Sequence, residues 1–383
     1  MGVLKTMKTP EKCRLRAGRY QKKEKSEPSV LCGETEETMN VLVINGSPKG
    51  KNSNTYKLTT AFVEGLKGKN EESLLVEELQ VNQLEIKPCL GCFSCWKNTP
   101  GKCVIEDDMK IVLDKLLWAD ITLWSFPLFY FNVPGKLKML IDRLLPMVLP
   151  FMESGAESGG HPSRYDMSKK RYVLISTCGF YTAQGNYDSV ISMFGHFLGK
   201  DNFETIFCGQ GELFRVPELK DRTNEYLSFV KNAGAEYLEG KILDHTRKQL
   251  ETLLFPREIF ESMADASWGI DERTGKKMDE TLVFIKQMAA LYNKNSYQGQ
   301  EKVLEMDLTD VDKKYQILLK EDGSEVLTEN FKDATTKIIT PYTVWADIAS
   351  GKLNGAEAMM KQMYRVEGDY DIIMRWNDYF GGN

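Results

Sequence analysis

The chain has 383 residues, enough for two or three domains with separate cores, and its formal net charge of −5 leaves no general nucleic-acid footprint. No apolar run is long enough to span a bilayer, and the N-terminal stretch lacks the continuous apolar core of a secretory signal. Eight cysteines with no export signal point to a reducing, cytoplasmic setting and to metal or redox work rather than structural disulfides.

Residues 1–38 are rich in Lys, Arg, Glu and Ser and read as a disordered tail. Its basic stretch 5–19 faintly resembles a targeting peptide, but the acidic run Glu34-Thr-Glu-Glu37 spoils the match, and Met39 is an alternative start. Cys13 and Cys32 lie in this tail and carry no argument.

The body opens with an apolar run, Val41 to Asn45. It breaks into Gly46-Ser-Pro-Lys-Gly-Lys-Asn-Ser-Asn-Thr55, and an amphipathic segment, 56–66, follows at once. That order predicts a buried parallel strand, a tight polar loop and a helix. Such a loop directs backbone N–H groups and the positive end of the helix dipole at one spot, a ready anion site. A second strand falls within 73–79, and a cysteine-rich loop spans 88–103. Asp107-Asp108-Met109 opens a helix to 117, with acids in its first turn. A third strand, 119–125, runs into an aromatic loop, 126–135, and a helix over 136–145. On that helix Asp142-Arg143 reads as a structural pair of surface charges. A fourth strand, 171–177, ends at Cys178-Gly-Phe180. A helix over 188–198, a fifth strand over 203–208 and a long helix over 218–238 complete the series. Strands alternating with helices predict an α/β fold with a doubly wound five-stranded parallel sheet, and the polar and aromatic loops fall at carboxyl ends, where such sheets bind ligands.

Residues 241–299 read as a helical connector without legible chemistry. Beyond it, 300–383 change style. Strands over 302–308 and 315–319, a hairpin signal at Asp322-Gly323, a strand at 337–340, a helix over 343–349 stopped by Gly351 and a Met-rich helix over 356–363 predict a smaller, separate α+β domain.

At Gly46 the spacing excludes two phosphate-binding devices. A Walker A loop needs four residues between its first glycine and Gly-Lys, then Ser or Thr. Here three residues separate Gly46 from Gly50-Lys51, and Asn52 follows. The glycines also fail the Gly-x-Gly-x-x-Gly dinucleotide fingerprint. Two readings stay open. Ser47, Asn52, Ser53, Asn54 and Thr55 wrap a phosphomonoester, or the stretch is an ordinary polar loop with a helix N-cap at Ser53 or Asn54.

Asn45-Gly-Ser-Pro48 followed by Ser53-Asn-Thr55 resembles the flavodoxin-like NAD(P)H-dependent FMN reductases, and the stretch from Phe126 to Arg143 is similar to that family's second signature. The run from Cys89 to Met109 resembles the subgroup of iron-sulfur flavoproteins and their near relatives. The resemblance covers about 39–240, with the three motifs in the expected order. It implies a flavodoxin-like FMN domain, with the phosphate on Ser47, Lys49, Asn52, Ser53, Asn54 and Thr55. The isoalloxazine would rest on Pro127, Leu128, Phe129, Tyr130, Phe131 and Asn132, with Thr177, Cys178, Gly179 and Phe180 as a third wall. The plain alternative for the aromatic loop is core packing at a strand end. The resemblance further implies a reduced pyridine nucleotide or a ferredoxin-like carrier as electron donor, and a homo-oligomer with flavin sites paired across its interfaces.

The cysteine spacing is Cys-x2-Cys-x2-Cys-x7-Cys, from Cys89, Cys92, Cys95 and Cys103. Thiolates two residues apart wrap one compact cluster, as ferredoxin-type runs do. Zinc prefers two separate knuckles. A [4Fe–4S] cluster, free or disulfide-forming thiols, and zinc all stay open. Cys178 reads as a wall of the flavin site and Cys208 as core. His161, His196 and His245 are scattered without catalytic or metal-ligand spacing. No protein acid or base is assigned, because hydride transfer to a flavin needs none.

The stretch from Thr343 to Met360, with Val366-Glu-Gly-Asp369, is similar to the sterol carrier protein type 2 fold over about 300–383. That family implies a five-stranded sheet capped by helices around an apolar tunnel. Met359, Met360, Met363 and Met374 either line a pliable cavity or fill a core. The family's Ala-Phe-Met-x-Gly-Lys pattern is replaced by Ala356-Glu-Ala-Met-Met-Lys-Gln-Met363, which leaves a dimerisation or lid role as the alternative to lipid binding. Three functions follow: an FMN oxidoreductase, an electron-transfer flavoprotein without a small-molecule substrate, and a hydrophobe-binding protein with a regulatory flavin domain. Rapid flavin bleaching by NADH or NADPH, reduction by ferredoxin alone, and co-purified lipid separate them.

Overall fold

The structure, a computed structural model, describes residues 38–68, 73–155, 159–216, 219–271 and 274–381. The expectations for residues 1–37 lie outside these. Five strands, β1 (Met39–Asn45), β2 (Leu74–Gln80), β3 (Ile121–Pro127), β4 (Arg171–Thr177) and β5 (Phe203–Cys208), form one parallel sheet in the order β2-β1-β3-β4-β5. The fold class is the doubly wound parallel α/β arrangement expected from the alternation of strands and helices, in the flavodoxin-like form that the resemblance implies. Side chains alternate across the central strands. Val41 and Val43 pack with Leu58, Phe62 and Tyr226 on one face, while Leu42 and Ile44 meet Val112, Leu137 and Phe194 on the other.

The helices are α1 (Asn54–Lys67), the short α2 (Ser94–Lys97) in the cysteine loop, α3 (Met109–Trp118), α4 (Gly135–Asp142), α5 (Asp188–Leu198) and α6 (Lys220–Leu238). On the first face α1 crosses α6 at two glycines. A Cβ on Gly65 would sit 1.9 Å from the Lys231 carbonyl oxygen, and one on Gly234 2.1 Å from that of Phe62. Glycine is therefore what lets the backbones touch and fixes α1 against its neighbour.

After α6 come α7 (Asp244–Leu250), α8 (Arg257–Trp268) and α9 (Glu280–Ala290). Asp279 caps α9, accepting from the Thr281 and Leu282 N–H groups, and pairs with Lys313. The second sheet is mixed. It contains β6 (Lys302–Leu308), β7 (Lys313–Leu319), β8 (Ser324–Leu327), β9 (Thr336–Thr340) and β10 (Arg365–Gly368) in the order β10-β9-β6-β7-β8, with β6 and β9 parallel. Ile285, Met288 and Ala289 of α9 share its core with Leu304, Met306 and Ile317. The helices α10 (Tyr342–Ala349), α11 (Gly355–Met360), α12 (Asp371–Met374) and α13 (Trp376–Phe380) complete the smaller α+β region. Among the described residues no helix is long and apolar enough to cross a membrane.

Three expectations change. The Met-rich helix stops at Met360, with Gln362 in the left-handed region (φ 55). Met360 and Met374 are about four-fifths exposed and Met359 is partly buried against the core, so the four methionines form neither one cavity wall nor one core stripe. Asp107 and Asp108 precede α3 rather than entering its first turn. Their carboxylates accept from the backbone N–H groups of Lys87 and Glu85, pinning the cysteine loop to the helix start.

Candidate functional site

β1, β3 and β4 lie side by side, so the loops that leave their carboxyl ends share one edge. The Gly46 N–H bonds to the Ser125 carbonyl at 2.8 Å, and a Cβ on Gly46 would lie 2.6 Å from Leu137 Cδ2. This close approach brings the first loop against the start of α4. A 3-10 turn, Gly50–Asn52, then leads into α1. Ser53 caps α1 by accepting from the Tyr56 N–H at 3.1 Å. Its hydroxyl hydrogen stays available to a second acceptor. Thr55 Oγ1 lies 2.6 Å from Thr177 Oγ1, tying the helix to the end of β4. Ser47, Ser53, Asn54 and Thr55 are buried, while Lys49 and Asn52 are exposed on the same loop. The Asn54 amide oxygen is shut away from solvent with no hydrogen-bond partner among the described residues. Leaving a buried polar atom unpaired costs about 1–3 kcal/mol. An orphaned acceptor in the first turn of α1 fits a hydrogen-bond donor that arrives from outside, while the buried Ser47 and Ser53 hydroxyls beside it keep O–H groups for an acceptor.

The second loop is a tight hairpin. Phe129 and Asn132 exchange both backbone hydrogen bonds, at 2.8 and 3.0 Å, around Tyr130 (φ 47) and Phe131 (φ 63). Bulky side chains seldom occupy the left-handed region, at a cost of roughly 1–3 kcal/mol each. The turn raises its rings into solvent, with Tyr130 98% exposed and Phe129 and Phe131 about half exposed. The core-packing alternative is thus removed for Phe129, Tyr130 and Phe131, while Phe126 is wholly buried. Pro127 ends β3, and the Leu128 N–H bonds to the Thr177 carbonyl, joining the loop to β4. The half-exposed Phe180 stacks on Phe131, 5.4 Å between centroids and 15° from parallel. Cys178 is buried, and that burial raises its thiol pKa, whereas Gly179 is exposed. Burial pushes the Cys208 thiol up to about 12. The three loops therefore bring buried hydroxyls, an unpaired amide and exposed flat rings to one edge.

The cysteine loop lies after β2. Cys89, Cys92, Cys95 and Cys103 line one small pocket with Leu90, Phe93 and Arg143. Gly91 (φ 62) and Phe93 (φ 54) turn the chain between the thiols, and Trp96 Nε1 anchors α2 to the Leu145 and Val148 carbonyls at 3.2 and 3.1 Å. Burial and the neighbouring Cys103 sulfur raise the Cys95 thiol pKa, while the Ser94 N–H and hydroxyl lower that of Cys92. No group of three or more His, Cys, Asp or Glu among the described residues is gathered tightly enough for a single metal ion.

Arg143 departs most from the sequence reading. It is 1% exposed and forms a forked pair with Asp107, at 2.7 and 2.9 Å, and its Nη1 also donates to the Lys87 carbonyl at 2.6 Å. Asp142 pairs instead with Lys138 on the surface, so Asp142-Arg143 is not a pair of surface charges. Burial works against the guanidinium charge, but Asp107 and Cys103 outweigh it and hold the Arg143 pKa above its usual value. The signal was in the spacing. Leu137 and Leu140 are buried, and Arg143 continues that three-residue step.

Residues 39–228 match the family described as flavodoxin-like fold, and residues 285–381 match the SCP-2 sterol transfer family. An iron-sulfur flavoprotein of Methanocaldococcus jannaschii is 34% identical over 113 residues, 30% of this chain and 55% of that protein. An FMN-dependent NADH:quinone oxidoreductase of Pseudoalteromonas atlantica is 27% identical over 154 residues, 38% of this chain and 73% of that protein. Among solved structures, an FMN-dependent NADH-azoreductase from Bacillus anthracis in complex with FMN aligns at 19% identity with a TM-score of 0.39, over 52% of this chain and 99% of that one. The chain spans about half the length of the first curated relatives it matches. The chain thus carries a flavodoxin-like domain over 39–228 and an SCP-2 sterol transfer domain over 285–381.

Proposed function

We propose that this protein is an FMN-dependent oxidoreductase that takes electrons from NADH or NADPH and passes them on through a [4Fe–4S] cluster held by Cys89, Cys92, Cys95 and Cys103. The observation that carries the reading is the pair of buried hydroxyls, Ser47 and Ser53: each already accepts from a backbone N–H, of Lys49 and Tyr56, and so keeps its own O–H to donate to a phosphate at the edge formed by the three loops. The names of the iron-sulfur flavoproteins and NADH:quinone oxidoreductases among its relatives support the same chemistry. In this reading Ser47, Lys49, Asn52, Ser53, Asn54 and Thr55 hold the FMN phosphate. Lys49 contributes charge from the exposed side, and the dipole of α1 favours the anion from the buried side. Pro127, Leu128, Phe129, Tyr130, Phe131 and Asn132 bracket the ring, with Thr177, Cys178, Gly179 and Phe180 opposite. A flavin supplies two-electron acceptance with one-electron release, and a cluster supplies one-electron transfer. The chain's own part is to orient the ring plane, exclude water from its buried side and leave the exposed aromatics as a platform for a flat nicotinamide. A cytoplasmic location and a homo-oligomer with paired flavin sites belong to the same proposal.

The test is the visible spectrum of protein purified without oxygen, followed by addition of NADH or NADPH. The two flavin bands should appear with a broad iron-sulfur shoulder, and the flavin should bleach rapidly. Protein left colourless after incubation with FMN and removal of the excess would overturn the flavin assignment.

A further inference from the structure

The guanidinium of Arg143 lies close enough to the Cys103 sulfur for that cysteine to help hold its charge, yet one of its donors makes no well-formed hydrogen bond within the protein. Its Nη atoms are engaged by Asp107 and Lys87, but its Nε is buried with no acceptor among the described residues. Arg143 also lines the same small pocket as the four cysteines. A fully buried cation with an idle N–H is costly unless something else in the pocket accepts that hydrogen. Asp107 fixes the guanidinium plane through its forked pair, so the Nε–H is held in place before any ligand arrives.

We infer that Arg143 is a positioning residue for the cysteine site, donating its Nε–H to sulfur of a cluster bound there and raising that cluster's reduction potential. The inference rests on the proposed cluster. Sulfur becomes more negative when the cluster gains an electron, so a nearby cation and hydrogen-bond donor favour the reduced form. Asp107 acts only through Arg143, by setting its orientation.

The experiment loads the full chain with iron and sulfide under anaerobic conditions, as wild type, as Arg143→Lys and as the double variant Asp107→Asn/Arg143→Met. The double variant removes both buried charges together, leaving neither uncompensated. Iron content and FMN binding are measured, and the cluster midpoint is found by dithionite titration followed by electron paramagnetic resonance. In the double variant the reduced-to-oxidised ratio at fixed potential should fall about tenfold, a negative shift of about 59 mV for a one-electron couple. Arg143→Lys should shift it less in the same direction. Loss of iron from both variants with FMN binding retained also supports the role. Unchanged iron and midpoint in either folded variant overturn it while leaving the cluster proposal standing. Wild type that takes up no iron overturns both.

Discussion

Replacing Asn54 by Leu should change stability and cofactor affinity in opposite directions. Asn54 is 6% exposed, and its amide oxygen has no partner among the described residues. Leucine removes that orphan at similar size and is the better helix former, so the protein without cofactor should gain about 1 kcal/mol. Binding should suffer. The Asn54 Nδ2–H group is the donor that would face the phosphate, and a hydrogen bond to a charged group contributes about 1.5–3 kcal/mol, so FMN affinity should fall roughly 10- to 150-fold. Asn54→Asp keeps the shape but sets a carboxylate against the phosphate, and should bind more weakly still. Urea unfolding followed by tryptophan fluorescence gives the first quantity, and quenching of flavin fluorescence on titration gives the second. If Asn54→Leu binds FMN within twofold of wild type, or loses more than 1 kcal/mol of stability without cofactor, Asn54 is a structural residue and the reasoning fails.

Gly234→Ala should cost about 3 kcal/mol or more in urea unfolding, since the added methyl would sit 2.1 Å from the Phe62 carbonyl oxygen, which is rigid backbone. Arg143→Met should cost about 3–5 kcal/mol by stranding Asp107, and adding Asp107→Asn should recover most of it in a double-mutant cycle. The Asp279 carboxyl is held well below the ordinary range; burial opposes this, but hydrogen bonds from Thr281 and Leu282 and the charge of Lys313 prevail. Its stabilisation is complete above the unfolded value near 3.9 and is lost as pH falls toward the folded one, so Asp279→Asn should flatten the acid limb of the stability curve. In alkylation at neutral pH with metal removed, Cys92 should react before Cys95, and Cys208 should stay unmodified until the protein unfolds, as mass spectrometry of the labelled peptides will report.

The parallel sheet was legible because apolar runs end in strong breakers. The fourth and fifth strands and the helix over Asp188–Leu198 fall where the pattern sets them. Arg143 was misread because charge alone suggests solvent, and only its step from Leu137 and Leu140 reveals the buried face. Asp107 was expected in the helix's first turn; it precedes α3, accepts from the Met109 N–H at its start and is used mainly across the fold, by Lys87 and Arg143. The hairpin at Tyr130 and Phe131 left no glycine or Asn-Gly signal, since bulky residues occupy positions that usually go to smaller ones. Met360 and Met374 illustrate the converse, apolar side chains left on the surface by where their helices end.

Three of the residues that the proposed function offers to an anion, Ser53, Asn54 and Thr55, are also the cap and opening turn of α1. Occupancy of that loop and fraying of the helix are therefore one equilibrium. A ligand that satisfies the Ser53, Asn54 and Thr55 end suppresses opening of the whole turn, and the glycine crossing with α6 carries that restraint into a second helix. Deuterium uptake at the amides of α1 and α6 should thus slow in step with ligand saturation, making two helices a record of what the loop holds.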